Sequence, residues 1–429
     1  MEFTRRSLFT AVGVGAAAAL VGCSATPGAG KSAAAEPTGP VEGDLTFLNA
    51  MFLAGAGKEL LEGKLLPEFK KKYPDVNVTV DYTNYGALNE KITTGLASGL
   101  MPDVVTLGVG WIPPFAYKKA IAPLPESMAT KYNYEERTLE PARFDGTLYG
   151  LPVVMDTRIV TYRKDFFEEA GITETPKNWD ELRAMAKKLT VRDGSGKVTR
   201  YGFDPFSIDL RQCWETLLFA NSGDLFSKDG RKVRFDSRKG VESLQILLDM
   251  IDDGSSDFAF KTEAGQPTSV QQGSAAIMMS SSAQYLQIAQ QTPDMVDKIG
   301  AFVMGNTRQA VLQGGTMISQ SASSKHPAAA RALVEFLGSP DAVLAASEHR
   351  GMIPSITDLK DSDYVKGAPA IAFALDNFDK AWSEGGTPAW MEIRENIAPA
   401  LETALVGQQS AKQAINQLAD LANSAIARL

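Results

Sequence analysis

The sequence predicts an α/β protein whose mostly parallel sheets are flanked by helices. Three observations carry that prediction. Val76, Val78, Val80 and Tyr82 alternate with polar residues at period two, which is a strand. Just upstream, Leu61, Leu65, Phe69 and Tyr73 recur every fourth residue, a helical stripe. Asp103-Val104-Val105-Thr106-Leu107 is a short apolar run of the kind a parallel sheet buries on both faces.

The elements follow in chain order. Residues 1–22 read as an export signal. Arg5-Arg6 form its basic start, and Ala11 to Gly22 form an apolar run of 12 residues. A membrane-spanning helix needs about 20, so this run is a signal core and not a permanent span. Thr4-Arg5-Arg6-Ser7-Leu8-Phe9 is similar to the twin-arginine pattern with Leu and Phe exchanged, and ordinary Sec export stays open. Residues 23–43 begin with Cys23 and continue in Ser, Ala, Thr, Pro and Gly, a tether that cannot build a core. Leu45 to Leu48 read as the first strand of the body. Asn178-Trp179-Asp180-Glu181 is a capping-box-like start for a helix running to Leu189. Leu244, Leu247, Leu248 and Ile251 give the stripe of a half-buried helix, and Ile415, Leu418, Ala422 and Ile426 give another at the C-terminus.

Composition and motifs exclude several functions. At roughly 100–200 residues per domain, 429 residues imply two or three lobes. A net charge of −8 argues against nucleic acid, whose backbone needs a basic face. Two cysteines and two histidines are too few for a disulfide framework or a zinc site, so no metal and no cofactor is expected. Gly28-Ala29-Gly30-Lys31-Ser32 lacks the first glycine of a phosphate loop, where Ala25 stands. Gly108-Val109-Gly110 lacks the third glycine of a dinucleotide fingerprint, where Pro113 stands. The acidic run Asp249 to Asp257 places Ile251 and Phe260 where a calcium loop needs ligands. His326 and His349 read as solvated or paired side chains, and Cys213 as a buried inert thiol. No nucleophile with a base is evident, so the chain is expected not to be an enzyme.

Several separated motifs point together to one family. Leu20-Val21-Gly22-Cys23 resembles a lipobox, whose cysteine is lipidated. Leu66-Pro67-Glu68-Phe69 through Tyr73-Pro74-Asp75-Val76-Asn77-Val78, Met101-Pro102-Asp103-Val104-Val105, Tyr149-Gly150-Leu151-Pro152, Gly314-Gly315-Thr316 and Arg350-Gly351-Met352-Ile353-Pro354-Ser355 stand in the family's order. The chain resembles the extracellular solute-binding proteins of bacterial ABC importers, family 1, in the sugar-binding lipoprotein branch. That resemblance implies a two-lobe, type II periplasmic-binding-protein fold with hinge crossings. Lobe one would be 44–155 plus 316–350, and lobe two 156–315 plus 351–429. It implies a monomer tethered through Cys23 to the outer face of the cell membrane, delivering a carbohydrate to permease subunits. A receptor for glycerol phosphate or a glycerophosphodiester is the alternative, and a secreted lipoprotein hydrolase a more distant one.

A sugar site needs flat rings for C–H faces and planar polar groups for hydroxyl rims. By resemblance, Trp390 supplies a stacking ring with Arg394 nearby, and Tyr285 stands where the family usually has Trp. Asp156 and Arg158 lie at the first crossing, Gly314 and Gly315 at the second, and Arg350 at the third. Trp111, Asn49, Asn84 and Tyr85 follow strand ends, and Arg211 and Trp214 belong to lobe two. Truncating Trp390 is therefore expected to weaken binding while leaving the fold intact.

The anchor generates one test. Cys23→Ala should leave the protein folded but shift it from the membrane fraction to the soluble one, because no second attachment point is proposed. A variant that still pellets with membranes would exclude the lipid anchor.

Overall fold

The computed structural model describes residues 37–53, 55–262 and 266–429. The signal, Cys23 and most of the tether lie outside the described residues. Among the described residues, no helix is long and apolar enough to cross a membrane.

The described residues form one unit, and an 11-stranded sheet runs through it. At one end Gly43–Asn49 pairs in parallel with Val76–Tyr82 and with Val104–Gly108. At the other end Val198–Asp204 pairs in parallel with Ala275–Ser281. Two long strands join these ends. The first, Leu151–Arg163, and the second, Val311–Gln320, run antiparallel to each other. Along the first strand, residues 151–155 face Gly315 to Ile318, while residues 158–162 pair with Ser281 to Ile277. Along the second, residues 316–320 pair with Val104–Gly108 and residues 311–313 with Ala381–Ser383. The sheet is therefore mixed, a refinement of the mostly parallel expectation. A chain that leaves one end on one strand and returns on another places the two crossings antiparallel at the centre.

Local sequence explains the elements that frame this sheet. Asn178 caps Trp179–Leu189, accepting from the Glu181 amide at 2.9 Å and donating to its carboxylate at 3.0 Å. The four-residue stripe of Leu61, Leu65 and Phe69 is buried as expected. A strict four-residue repeat drifts around a 3.6-residue helix. The wider π-helical turn at Leu61–Leu65 takes up part of that drift, between α-helical Ala56–Leu60 and Leu66–Lys72. Leu244 and Leu247 of Arg238–Asp252 are buried, as are Ile415, Leu418 and Ala422 of Ala411–Ile426.

Helix Trp179–Leu189 lies so close to its strand that a Cβ on Gly202 would stand 1.8 Å from the Ala186 carbonyl oxygen. Gly202→Ala must push backbone from backbone. It should cost about 1–3 kcal/mol, read as a lower denaturant midpoint, and an unchanged midpoint would contradict this packing.

Candidate functional site

Where the two long strands hand the sheet from one end to the other, they leave a cavity of about 310 Å³. That volume is at the lower end of small-molecule pockets, roughly 300–1,000 Å³. Its walls come from the loop after Val104–Gly108, from both long strands, and from the helices Leu210–Ala220, Pro340–Arg350 and Trp390–Leu405.

Asp156 and Arg158 project from the same face of the first strand, because residues two apart share a face. The Arg158 guanidinium donates to Asp156 at 2.5 Å and, through Nε, to the Gln212 side chain at 2.8 Å. The other Asp156 oxygen accepts from the Ser282 hydroxyl at 2.5 Å and from the Thr157 amide at 3.0 Å. Gly314 stands opposite Asp156, where a Cβ would approach Arg158 at 3.6 Å. Gly315 has φ +147°, and a Cβ there would lie 2.5 Å from the Val154 carbonyl oxygen. The irregular register beside Thr316 thus depends on that glycine.

Tyr85 and Trp111 form the aromatic wall. Their rings meet edge to face with centroids 6.2 Å apart. The Tyr85 hydroxyl bonds to Thr316 of the second strand. Burial pushes the Tyr85 phenol up, against the opposing pull of that bond and of the Arg350 charge. Arg394 lies 5.4 Å from the Trp111 ring centroid, a cation–π distance. Its Nε is buried with no hydrogen-bond partner among the described residues.

Arg211 is buried beneath the cavity and bonds Glu215 at 3.0 Å and also Glu384, with Asp209 3.7 Å away. Burial disfavours its charge, but the three carboxylates outweigh that and hold it charged. Burial pushes the Glu215 carboxyl up to about 8, although Arg211 opposes the shift. Glu215 is thus the acid beside Arg211 that holds its proton more tightly than a free carboxyl.

Tyr85, Trp111, Asp156, Arg158, Arg211, Gly314, Gly315, Arg350 and Arg394 accordingly line one cavity. Five expected residues lie elsewhere. The Asn49 side chain closes the turn after its strand, accepting from the Met51 and Phe52 amides at 3.0 Å. Asn84 caps helix Tyr85–Ser98, accepting from the Ala87 amide at 3.1 Å. Trp214 is fully buried against Phe235 and donates to the Gly240 carbonyl at 3.3 Å. Tyr285 packs half-buried beside Met278 and Ile288. Trp390 is 0% exposed, wedged between Phe226 and Gly110, with Arg211 5.9 Å from its ring. The expected sugar platform is instead a support behind the cavity wall.

Sequence reasoning missed Asp209, Gln212, Thr316 and Glu384. Asp209 carried a signal, since it caps Leu210–Ala220 through the Gln212 amide. Glu384 carried none, because its partner Arg211 is 173 residues away in sequence. The rejected calcium loop serves packing, with Asp249 and Asp253 holding Arg183 at 2.9 and 2.7 Å. Burial pushes the Cys213 thiol up, as befits an inert core group.

A cavity between two ends of a shared sheet, lined by residues from both, fits a two-lobe α/β ligand-binding protein. The family described as bacterial extracellular solute-binding protein matches residues 54–344, and the chain belongs to it. A putative binding protein of Brucella abortus is 25% identical over 372 residues, 85% of this chain and 89% of that protein. An arabinooligosaccharide-binding protein of Bacillus subtilis is 26% identical over 342 residues, 74% of this chain and 72% of that protein. The solved structure of the sugar-binding protein MalE from Xanthomonas citri shares the fold. Its TM-score is 0.76 at 22% identity, covering 90% of this chain and 98% of that one.

The burial of Trp390 reverses the expectation for its truncation. Trp390→Ala opens a hole behind the cavity and should cost about 3–5 kcal/mol of stability. Melting curves should show the loss directly, and a fold of unchanged stability would return Trp390 to the ligand-facing surface.

Proposed function

We propose that this protein captures a sugar in its interlobe cavity and delivers it, chemically unchanged, to the permease of an ABC importer. The observation that carries this reading is the cavity itself. Flat rings at Tyr85 and Trp111 stand beside planar polar groups at Asp156, Arg158 and Gln212 in one small enclosure. That is the combination an amphipathic sugar ring requires. Family membership supports it, as do an arabinooligosaccharide-binding relative and a sugar-binding protein of the same fold.

In this reading the protein is a monomer held at the outer face of the membrane by lipid on Cys23. The lobes divide at 155/156, 315/316 and 350/351, giving 44–155 plus 316–350 and 156–315 plus 351–429. Ligand bridges them, and closure about the long strands presents the loaded form to the permease. The protein's own part is recognition and enclosure. Asp156, pinned by Ser282 and Arg158, offers fixed acceptors, and Arg158, pinned by Asp156 and Gln212, fixed donors, that need no reorganisation when hydroxyls arrive.

Calorimetric screening against mono-, di- and trisaccharides and glycerol phosphates, followed by mass spectrometry of the recovered ligand, tests this. A saccharide should bind and be recovered intact. Recovery of a cleaved or modified sugar would overturn the transport reading in favour of an enzyme.

A further inference from the structure

The charges that line the cavity do not cancel locally. Arg158 is occupied by Asp156 and Gln212. Arg211 is occupied by Glu215 and Glu384, and Asp209, which also lines the cavity, stands 3.7 Å from it. Arg350 and Arg394 line the same cavity, yet neither has a carboxylate within 4.0 Å or a hydrogen bond among the described residues. They reach it from different helices, Pro340–Arg350 and Trp390–Leu405. Both address the same aromatic pair, Arg350 through its field at Tyr85 and Arg394 through the Trp111 ring.

Two partly buried guanidiniums without a counter-charge are costly to maintain. The C-terminal end of Pro340–Arg350 offers Arg350 about half a negative charge, and the Trp111 ring gives Arg394 a quadrupole and no charge. The buried, unpartnered Nε of Arg394 adds an unmet donor. A neutral hydroxyl can satisfy a donor but cannot neutralise a cation. An oxyanion does both, and the guanidinium fork matches it in geometry.

We propose that the ligand of this cavity is an acidic saccharide, a sugar bearing one carboxylate or phosphate ester that Arg350 and Arg394 engage together. The proposal rests on the sugar reading and narrows it. Asp156 and Arg158 then serve the neutral hydroxyls, while the aromatic pair bounds the ring on the side where the charge enters.

Titration calorimetry with matched probes tests it: glucose, glucuronate and glucose 6-phosphate, then galactose and galacturonate, each at low and high salt. One acidic probe should bind at least about tenfold tighter than its neutral partner, a difference of ~1.4 kcal/mol, and the margin should shrink at high salt. Uronate against sugar phosphate identifies which oxyanion is used. Arg350→Gln and Arg394→Gln should each weaken the acidic probe far more than its neutral partner and so remove the margin. Arg394→Lys should restore part of it, and exposed Arg238→Gln should leave it intact. Circular dichroism and melting curves confirm that each variant is folded. Neutral probes that bind as tightly as their acidic partners would overturn this proposal and leave the sugar reading standing. Failure of every saccharide to bind, with glycerol 3-phosphate binding instead, would overturn the sugar reading and this inference with it.

Discussion

The antiparallel pairing of Leu151–Arg163 with Val311–Gln320 carries the chain between the two ends of its sheet. Each strand is hydrogen-bonded into one set of partners along its first half and another along its second. At the handover Met155 and Thr157 are buried while Asp156 and Arg158, alternating with them, line the cavity, so the sheet leaves polar groups at its middle. Asp156, Arg158, Gly314 and Gly315 owe their place in the cavity to that one feature. The backbone there is fixed by ladder bonds, and the positive φ of Gly315 sets the irregular step between the two halves. A binding site built on such strands is held more rigidly than one built on loops.

Charge distribution around the cavity follows a simple division of labour. Asp156 with Arg158 and Arg211 with its carboxylates are closed networks whose internal bonds fix geometry. Arg350 and Arg394 stand outside those networks. Four arginines in one cavity look equivalent by residue type. Their partners separate them into two structural and two available, and that difference decides what chemistry the cavity favours.

Aromatic residues show a comparable separation. Trp390 and Arg394 lie four apart on one helix and so share a face, yet they do different things. Gly110, with φ +83°, brings backbone to within contact of Trp390, and a Cβ there would lie 2.9 Å from the indole nitrogen. That close approach seals the indole behind the wall while the longer Arg394 side chain passes it and reaches Trp111. Gly385 packs against Gly110 in turn, with 2.5 Å between its would-be Cβ and the Gly110 Cα. Two glycines thus let a loop from one end of the sheet press on a loop from the other.

Period-two and helical stripes, the Asn178 cap and the apolar run at Val104 made the α/β elements legible from sequence, because each is a local pattern with a local cause. The order of motifs along the chain made the family legible, and with it most of the cavity residues at strand ends and crossings. The direction of the two long strands was not legible, since antiparallel pairing is settled by partners more than 150 residues apart. Neither was the burial of Trp214 and Trp390, because an indole beside a polar segment reads the same whether it lines a cleft or backs its wall. Asn49 and Asn84 have the residue type of ligand groups, but backbone amides two and three residues ahead take their side chains first. Sequence determined which residues were available to the site, since composition and local spacing are sufficient for that. Tertiary structure decided which of them face the cavity and which arginines stay unpaired, because both depend on side chains brought together from remote parts of the chain.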